Sequence, residues 1–158
     1  MKILFLIVMA TVLNKPLVIK SSAFGNNEWI PEKYTCIGSN INPALTISDI
    51  PNGTKSLVLI VDDPDAPNGT YTHWIMWNIP VITSIGENSA PGIQGKNSKG
   101  ENKYFGPCPP SGIHHYNFKV YALDTKLEIP IVSDKNILLK AMDKHILASG
   151  VLIGLFKK

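Results

Sequence analysis

The chain has 158 residues, a net charge of +3, 44% hydrophobic residues and 17% charged residues. This length fits one domain, and the composition excludes a disordered chain. All fifteen basic residues are lysines scattered along the sequence. Without arginine or a basic cluster the chain lacks the usual means of gripping phosphates and base edges, so the sequence argues against a nucleic-acid partner.

The N-terminus has the pattern of a secretory signal peptide. Lys2 precedes an apolar run at residues 3–13, and polar residues follow from Asn14. Such a run is too short to cross a bilayer as a helix, so no integral membrane span is expected. We predict a signal peptide or hydrophobic N-terminal segment at residues 1–15, followed by one domain at residues 16–158. This pattern favours an exported protein over a cytoplasmic one. The alternative interpretation of the apolar run is a buried first strand or helix.

The first half of the domain predicts four strands. Residues 16–22 and 44–50 alternate weakly between apolar and polar side chains, which favours short strands. Residues 55–61 are almost continuously apolar and predict a strand that is covered on both faces. This strand runs into a turn that contains Pro64 and Pro67, which end its pairing. A second strong strand is predicted at residues 72–79.

The second half predicts a long loop, a strand, a helix and a last strand. Residues 83–103 are polar and rich in Gly, Asn and Ser, as in a loop that carries function or covers a site. Residues 104–112 contain too many prolines and glycines for regular structure. Alternation predicts a strand at His114–Leu123. Residues 133–147 change to a helical period with Ser133 as the N-cap, and residues 151–156 predict a short final strand.

These elements together predict the fold class. No alternation of strands and helices is present, so a doubly wound parallel sheet is disfavoured. The prediction is a mainly β protein, an antiparallel Greek-key-like β sandwich with a C-terminal helix.

Unusual polar residues gather where the strong strands begin or end. Asp63 and Asp65 follow one strand, His73 opens the next, and His114 opens a third. Alternation places His114 and Tyr116 on one face of that strand. Loops that converge at strand ends form natural ligand sites. The alternative interpretation is a pair of turn-capping aspartates and structural histidines.

Three motifs resemble the phosphatidylethanolamine-binding protein family, and more closely its bacterial Raf-kinase-inhibitor-like branch. They are Asp63-Pro64-Asp65-Ala66-Pro67, then His73-Trp74, then Gly106-Pro107-Cys108-Pro109-Pro110-Ser111-Gly112 ahead of His114-His115-Tyr116. Further matches at residues 34–43, 53–57 and 145–147 extend the resemblance from Val18 to the C-terminus in collinear order.

The resemblance implies a β sandwich with a small surface pocket for phosphate, acetate or a phospholipid head group. Imidazolium and phenol groups would donate hydrogen bonds to the anion, and no cofactor is expected. The resemblance leaves open an unidentified protein partner, such as a kinase or a protease, and it does not decide between a monomer and a homodimer. The implied pocket residues are Asp63, His73, Pro110, His114 and Tyr116, with Asp65 and Trp74 in support.

Catalysis is the second hypothesis. Asp63, His73 and His114 are residue types that serve a metal-dependent or acid/base hydrolase. The sequence has no G-x-S-x-G or H-E-x-x-H motif. We therefore predict a binding protein and not an enzyme. A purely structural role is the third hypothesis, although it gives no reason for so many polar residues at the strand ends.

Two remaining features concern single positions. Cys36 and Cys108 lie in loops that flank the family motifs, and we expect a disulfide between them if the chain is exported. The alternative is two unrelated thiols. His115 stands where the family usually has arginine, and alternation turns this position away from the pocket.

Overall fold

The structure, a computed structural model, describes residues 15–158, so residues 1–14 of the predicted signal segment lie outside it. Within the described residues, the secondary structure consists of nine strands, one α-helix and a short 3-10 turn. The elements are β1 (Val18–Lys20), β2 (Glu28–Trp29), β3 (Leu45–Ser48), β4 (Ser56–Asp63), β5 (Tyr71–Ile79), β6 (Ser84–Ile85), β7 (Ile93–Gln94), β8 (His114–Leu123), α1 (Lys135–Met142) and β9 (Ile146–Phe156), with the 3-10 turn at Glu32–Tyr34.

The strands form two sheets. The smaller sheet has the order β1-β3-β6, and the larger has the order β2-β9-β8-β4-β5-β7. Within the larger sheet β8 returns to lie beside β4, which gives the Greek-key order. Pairing is antiparallel except between β2 and β9, which run parallel. The mainly β sandwich with a helix near the C-terminus is therefore confirmed.

Strand β4 runs through the middle of the larger sheet, and all eight of its residues are buried. Leu57, Leu59 and Val61 face the core shared with the smaller sheet. Val58 and Ile60 face the opposite side, where they join a second cluster that includes residues of α1. Because side chains alternate along a strand, this burial on both faces explains the continuous apolar sequence, as predicted.

The helix is shorter than predicted, and the predicted N-cap, Ser133, is wrong by one residue. Helix α1 spans Lys135–Met142, and Asp134 Oδ1 accepts the backbone N–H of Ile137 at 3.0 Å. Ser133 is fully buried, and its own N–H donates to Pro130 O at 2.9 Å. Asp134 is therefore the capping residue, because its side chain stands at the free N–H groups of the first turn.

The last strand is the longest in the described chain, whereas the sequence predicted a short one. Strand β9 begins at Ile146, within the predicted helix, and pairs with β8 along its whole length, from Leu123↔Ile146 to His114↔Phe156. Pairing with a ten-residue neighbour overrides the helical period at residues 146–147, because apolar residues there suit either periodicity.

Candidate ligand-binding pocket

A cavity of about 280 Å³ lies where the ends of three strands meet. Strand β4 supplies Asp63 at its end, β5 supplies His73 near its start, and β8 begins with His114. Because β8, β4 and β5 are antiparallel neighbours, the end of β4 and the starts of β5 and β8 lie at the same end of the larger sheet. The cavity is lined by Asp63, Ala66, Pro67, Tyr71, His73, Lys99, Phe105, Cys108, Pro110 and His114.

Asp63 and His114 form a buried pair at one side of the cavity. The Asp63 carboxylate accepts a hydrogen bond from His114 Nδ1 at 2.7 Å, and both residues are buried. The second carboxylate oxygen accepts the backbone N–H of Asp65 at 2.8 Å. Since both carboxylate oxygens have protein partners, Asp63 fixes the His114 ring and closes the turn after β4.

His73 is held by the backbone of the neighbouring loop. Its Nδ1 lies 2.6 Å from Phe105 O, and because a carbonyl can only accept, Nδ1 must carry the proton. The rings of His73 and Phe105 stack in parallel at 5.7 Å between centroids. Burial lowers the pKa of His73, and the carbonyl and the Asp63 charge oppose this only in part. The geometry therefore favours a neutral ring.

Two tyrosines surround His73. The Tyr71 ring lies 5.0 Å from the His73 ring, and Tyr116 packs edge-on against it at 5.2 Å. Tyr116 is fully buried behind His73. Burial raises the pKa of both tyrosines, so both remain neutral phenols.

Lys99 supplies a positive charge at the cavity. Its ammonium lies 4.0 Å from the Phe105 ring centroid, a cation–π contact. Asn97, which is buried, accepts the backbone N–H groups of Lys99 and Glu101 with its side-chain oxygen. The neighbouring Ser98 is bonded to the backbone of Thr72, next to His73. This compact turn therefore presents Lys99 to the pocket.

A disulfide braces the wall of the cavity. Cys36 and Cys108 form a disulfide across a sequence separation of 72, with 5.4 Å between their Cα atoms. Cys36 N also donates to Pro107 O at 3.1 Å. The backbone N–H of Gly106 donates to the side-chain oxygen of Asn40 at 2.7 Å. A Cβ atom at position 106 would clash with the backbone of Tyr34, so only glycine fits there. These links fix the loop that carries Phe105 and Pro110.

The residues predicted for the site either line the cavity, lie behind it or lie outside it. Asp63, His73, Pro110 and His114 line the cavity, and Tyr116 lies behind it. Asp65 instead accepts hydrogen bonds from His115 Nδ1 at 2.7 Å and His115 N at 2.8 Å, on the exposed side of the strand. These bonds lower the pKa of Asp65.

Trp74 is also outside the cavity. It is buried in the core between the sheets, where its Nε1 donates to Gln94 Oε1 at 2.7 Å. Its ring packs edge-on against Tyr104 at 5.6 Å between centroids. Trp74 therefore supports the strand that carries His73 and does not itself reach the pocket.

Sequence reasoning missed three polar or aromatic lining residues: Tyr71, Lys99 and Phe105. Phe105 directly precedes the quoted Gly106–Gly112 motif, and its position there was the available signal. Lys99 lies in the polar loop that was expected to carry function, but nothing in the sequence singled it out from the neighbouring lysines.

The part of the chain that the structure describes contains neither a metal-binding cluster nor a membrane-spanning helix. Among residues 15–158, no group of three or more His, Cys, Asp or Glu side chains is arranged to hold a metal ion. No helix in that part of the chain is long and apolar enough to cross a membrane.

The sequence is similar to archaeal and bacterial proteins. A family model described as phosphatidylethanolamine-binding protein matches residues 20–157. A UPF0098 protein of Pyrococcus horikoshii is 53% identical over 149 residues, which cover 87% of this chain and 75% of that protein. A UPF0098 protein of Chlamydia trachomatis is 44% identical over 147 residues, covering 89% of this chain and 98% of that protein.

Solved structures agree with the sequence comparison. A phosphatidylethanolamine-binding protein homologue from Chlamydia trachomatis superposes with a TM-score of 0.87 at 42% identity, covering 90% of this chain and 98% of that one. E. coli YbcL, described as a new member of the mammalian family, gives a TM-score of 0.84 at 29% identity, with 91% and 99% coverage. The chain therefore belongs to the phosphatidylethanolamine-binding protein family.

Proposed function

We propose that this chain is a non-catalytic binding protein whose pocket holds a small anionic ligand, such as phosphate or a phospholipid head group. The observation that carries the proposal is the lysine at a preformed cavity. The turn at Asn97 presents the Lys99 ammonium to a cavity of about 280 Å³, whose volume suits a small ligand. The ammonium of the exposed Lys99 stands beside a concave surface, where less solvent screens its attraction for an anion than in open water.

The preorganised walls also favour binding. His73 is hydrogen-bonded to Phe105 O, and His114 is hydrogen-bonded to Asp63. The disulfide at Cys108 anchors the loop between the two histidines. These groups are in place before a ligand arrives, so little conformational entropy is lost when it binds.

The acid/base alternative receives less support from the same contacts. Asp63, His73 and His114 do meet in one pocket, as a hydrolase would require. However, the two oxygens of Asp63 already accept hydrogen bonds from His114 and from Asp65 N. The sulfur of Cys108 is in a disulfide and is not available as a nucleophile. A binding role uses these groups as they stand.

Two further parts of the proposal concern the surroundings of the protein. The Cys36–Cys108 disulfide and the apolar segment at residues 3–13 support export to an oxidising compartment. Regulation of a kinase or a protease, which the family resemblance implies, stays a prediction, as does the choice between a monomer and a homodimer.

A calorimetric titration with phosphate and with phosphoethanolamine tests the binding role, using the unmodified protein and Lys99→Met. We expect saturable binding to the unmodified protein and about tenfold weaker binding to Lys99→Met, because a charge-assisted hydrogen bond is lost. Thermal stabilisation by each ligand provides a second readout.

Lys103→Met is the matched control for this experiment. Lys103 lies four residues away in the same loop, is exposed, and pairs with Glu101 at 3.5 Å outside the pocket. Its replacement removes the same charge from the protein as a whole, so we expect unchanged affinity. Equal affinities of the two variants would show that the anion binds elsewhere, and no binding to the unmodified protein would refute the proposed function.

A further inference from the structure

A second cavity, here called the α1 cavity, lies beside the start of helix α1 and has a volume of about 290 Å³. Thr72 of β5 lines this cavity, whereas its neighbours Tyr71 and His73 line the pocket. Because side chains alternate along a strand, the two cavities lie on opposite faces of β5. The residues that line the α1 cavity are all polar: Thr70, Thr72, Lys96, Asn97, Ser98, Asp134, Lys135 and Asn136.

The N-terminus of α1 has two backbone donors that the protein leaves unused. Asp134 Oδ1 accepts the N–H of Ile137, and Asp134 O accepts the N–H of Leu138. The N–H groups of Lys135 and Asn136 make no hydrogen bond within residues 15–158, because the first turn of a helix holds no acceptor for them. Both residues line the cavity. Free N–H groups and the helix dipole together favour an anion at such a position.

Thr72 provides independent evidence for a ligand in the α1 cavity. The residue is only 6% exposed, and its hydroxyl makes no hydrogen bond within the part of the chain that the structure describes. The hydroxyl is also not among the fully enclosed side-chain atoms that lack a partner. It therefore opens onto the cavity that Thr72 lines. A buried hydroxyl without a partner costs free energy, and a ligand that accepts its proton would offset this cost.

Ser98 holds a second hydroxyl beside that of Thr72. Its Oγ accepts the backbone N–H of Thr72 at 2.8 Å, and the N–H of Ser98 donates to Thr72 O at 2.9 Å. A serine hydroxyl that accepts a hydrogen bond still has its own proton to donate. The two bonds also fix Ser98 against the start of β5, so this donor is in place before a ligand arrives.

Lysines outnumber aspartates around the α1 cavity. Lys96 lines the cavity and makes no ion pair within the described residues. Lys119 and Lys135 share the carboxylate of the buried Asp62, at 2.9 and 3.2 Å. The remaining carboxylate of the group is Asp134, which caps the helix. Three ammonium groups against two carboxylates leave an excess of positive charge, which attracts an anion and repels a cation.

We propose that the α1 cavity is a second binding site, which takes a small oxyanion: a carboxylate or a tetrahedral group such as sulfate or phosphate. The ammonium of Lys96 meets the charge of the oxyanion. The hydroxyls of Thr72 and Ser98 and the first two N–H groups of α1 donate to its oxygens. This site shares no lining residue with the pocket and does not depend on the function proposed for it.

An NMR titration of the full-length protein with sodium sulfate reports on each cavity separately. We expect saturable shifts of the amide protons of Lys135 and Asn136, because these N–H groups donate to the bound anion. Sodium chloride at the same ionic strength is the control for general screening. If sulfate, phosphate and acetate all fail to shift these two amides saturably, the inference is overturned, whatever happens at the pocket.

The same titration with acetate distinguishes the two kinds of oxyanion. Tighter binding of acetate than of sulfate at residues 135–136 would identify a carboxylate as the natural chemistry of the site. The reverse order would identify a tetrahedral oxyanion.

The variants Lys96→Met and Lys99→Met separate the α1 cavity from the pocket. We expect about tenfold weaker sulfate binding at residues 135–136 in Lys96→Met, because a charge-assisted hydrogen bond is lost. Lys99→Met should leave that affinity unchanged and should act only on the shifts of pocket residues such as Phe105. Unchanged affinity at residues 135–136 in Lys96→Met would overturn the inference. Loss of binding at the pocket alone would count against the proposed function and not against this site.

The variant Thr72→Val tests the buried hydroxyl. Valine keeps the branched shape and suits a strand, so we expect a folded protein whose thermal stability is not lowered. We expect sulfate to bind about threefold to tenfold more weakly at residues 135–136, because one donor is missing. A folded Thr72→Val protein that binds as tightly as the unmodified one would show that the anion does not use this hydroxyl and would contradict the site as described.

Discussion

At the scale of single residues, the chemistry of the pocket depends on which groups hold the histidines. The family resemblance implied an imidazolium that donates a hydrogen bond to an anion. In the structure Asp63 binds His114, and His73 binds the carbonyl of Phe105. The proposed donor for the anion is therefore Lys99, a cavity-lining residue outside the quoted motifs.

The buried, neutral state of His73 predicts a dependence of stability on pH. The pKa of His73 is lower in the folded protein than its ordinary value of about 6.5, so the unfolded chain binds more protons below that pH. The stability contribution is complete above pH ~6.5 and is lost as the pH falls. We expect His73 to remove up to about 1.4 kcal/mol per pH unit below that value, until the folded-state pKa is reached.

Urea unfolding between pH 7 and pH 5 in a buffer without phosphate measures this effect. The slope for the unmodified protein minus the slope for His73→Gln isolates the contribution of His73 from that of the other three histidines, His114, His115 and His145. Parallel curves for the two proteins would mean that His73 is not destabilised in its charged form.

At the scale of secondary-structure elements, the pocket depends on strand ends and on one irregularity. The register between β4 and β5 shifts between Val61 and Asp62, so that Asp62 pairs with Thr72 and Asp63 with Tyr71. His73 is the extra residue at this bulge, and it lies on the pocket side together with Tyr71. β-bulges commonly reorient side chains in this way beside functional sites.

The boundary of helix α1 gives a prediction at this scale. We expect Asp134→Ala to lower the free energy of unfolding by about 1 kcal/mol, because the N–H of Ile137 loses its cap. Ser133→Ala should change it by less than about 0.5 kcal/mol or stabilise the protein, because the buried Ser133 hydroxyl has no partner among the described residues. Chemical denaturation of both variants measures this, and the reverse ranking would restore Ser133 as the cap.

At the scale of the whole molecule, segments that are distant in sequence meet at one end of the larger sheet, where β4 ends and β8 begins. The disulfide joins the segment before β3 to the loop before β8, and the cavity lies between that loop and the end of β4. Strand β9 completes the sheet by pairing along the whole of β8. We therefore expect ligand binding and global stability to be coupled through the loop that contains Cys108.

Removal of the disulfide tests this coupling. We expect the double variant Cys36→Ser, Cys108→Ser to lose about 4 kcal/mol of stability, the value expected for a closed loop of this length. Phosphate affinity should fall as well, because Phe105 and Pro110 lose their anchor. Denaturation and calorimetry of the double variant and of the reduced unmodified protein measure both effects. Unchanged affinity would show that the loop is fixed without the disulfide.

The sequence by itself determined the strong strands, because local periodicity reports the burial of each face. It predicted β8 at His114–Leu123 and the double-sided burial of β4, and its motifs identified the family. Only the tertiary structure decided which partners the polar groups take, since Asp63–His114 and Asp65–His115 join residues about fifty positions apart. The tertiary structure also decided that Ile146 begins a strand and that Lys99 lines the pocket. Both depend on contacts with residues far away in sequence, which local sequence patterns do not reveal.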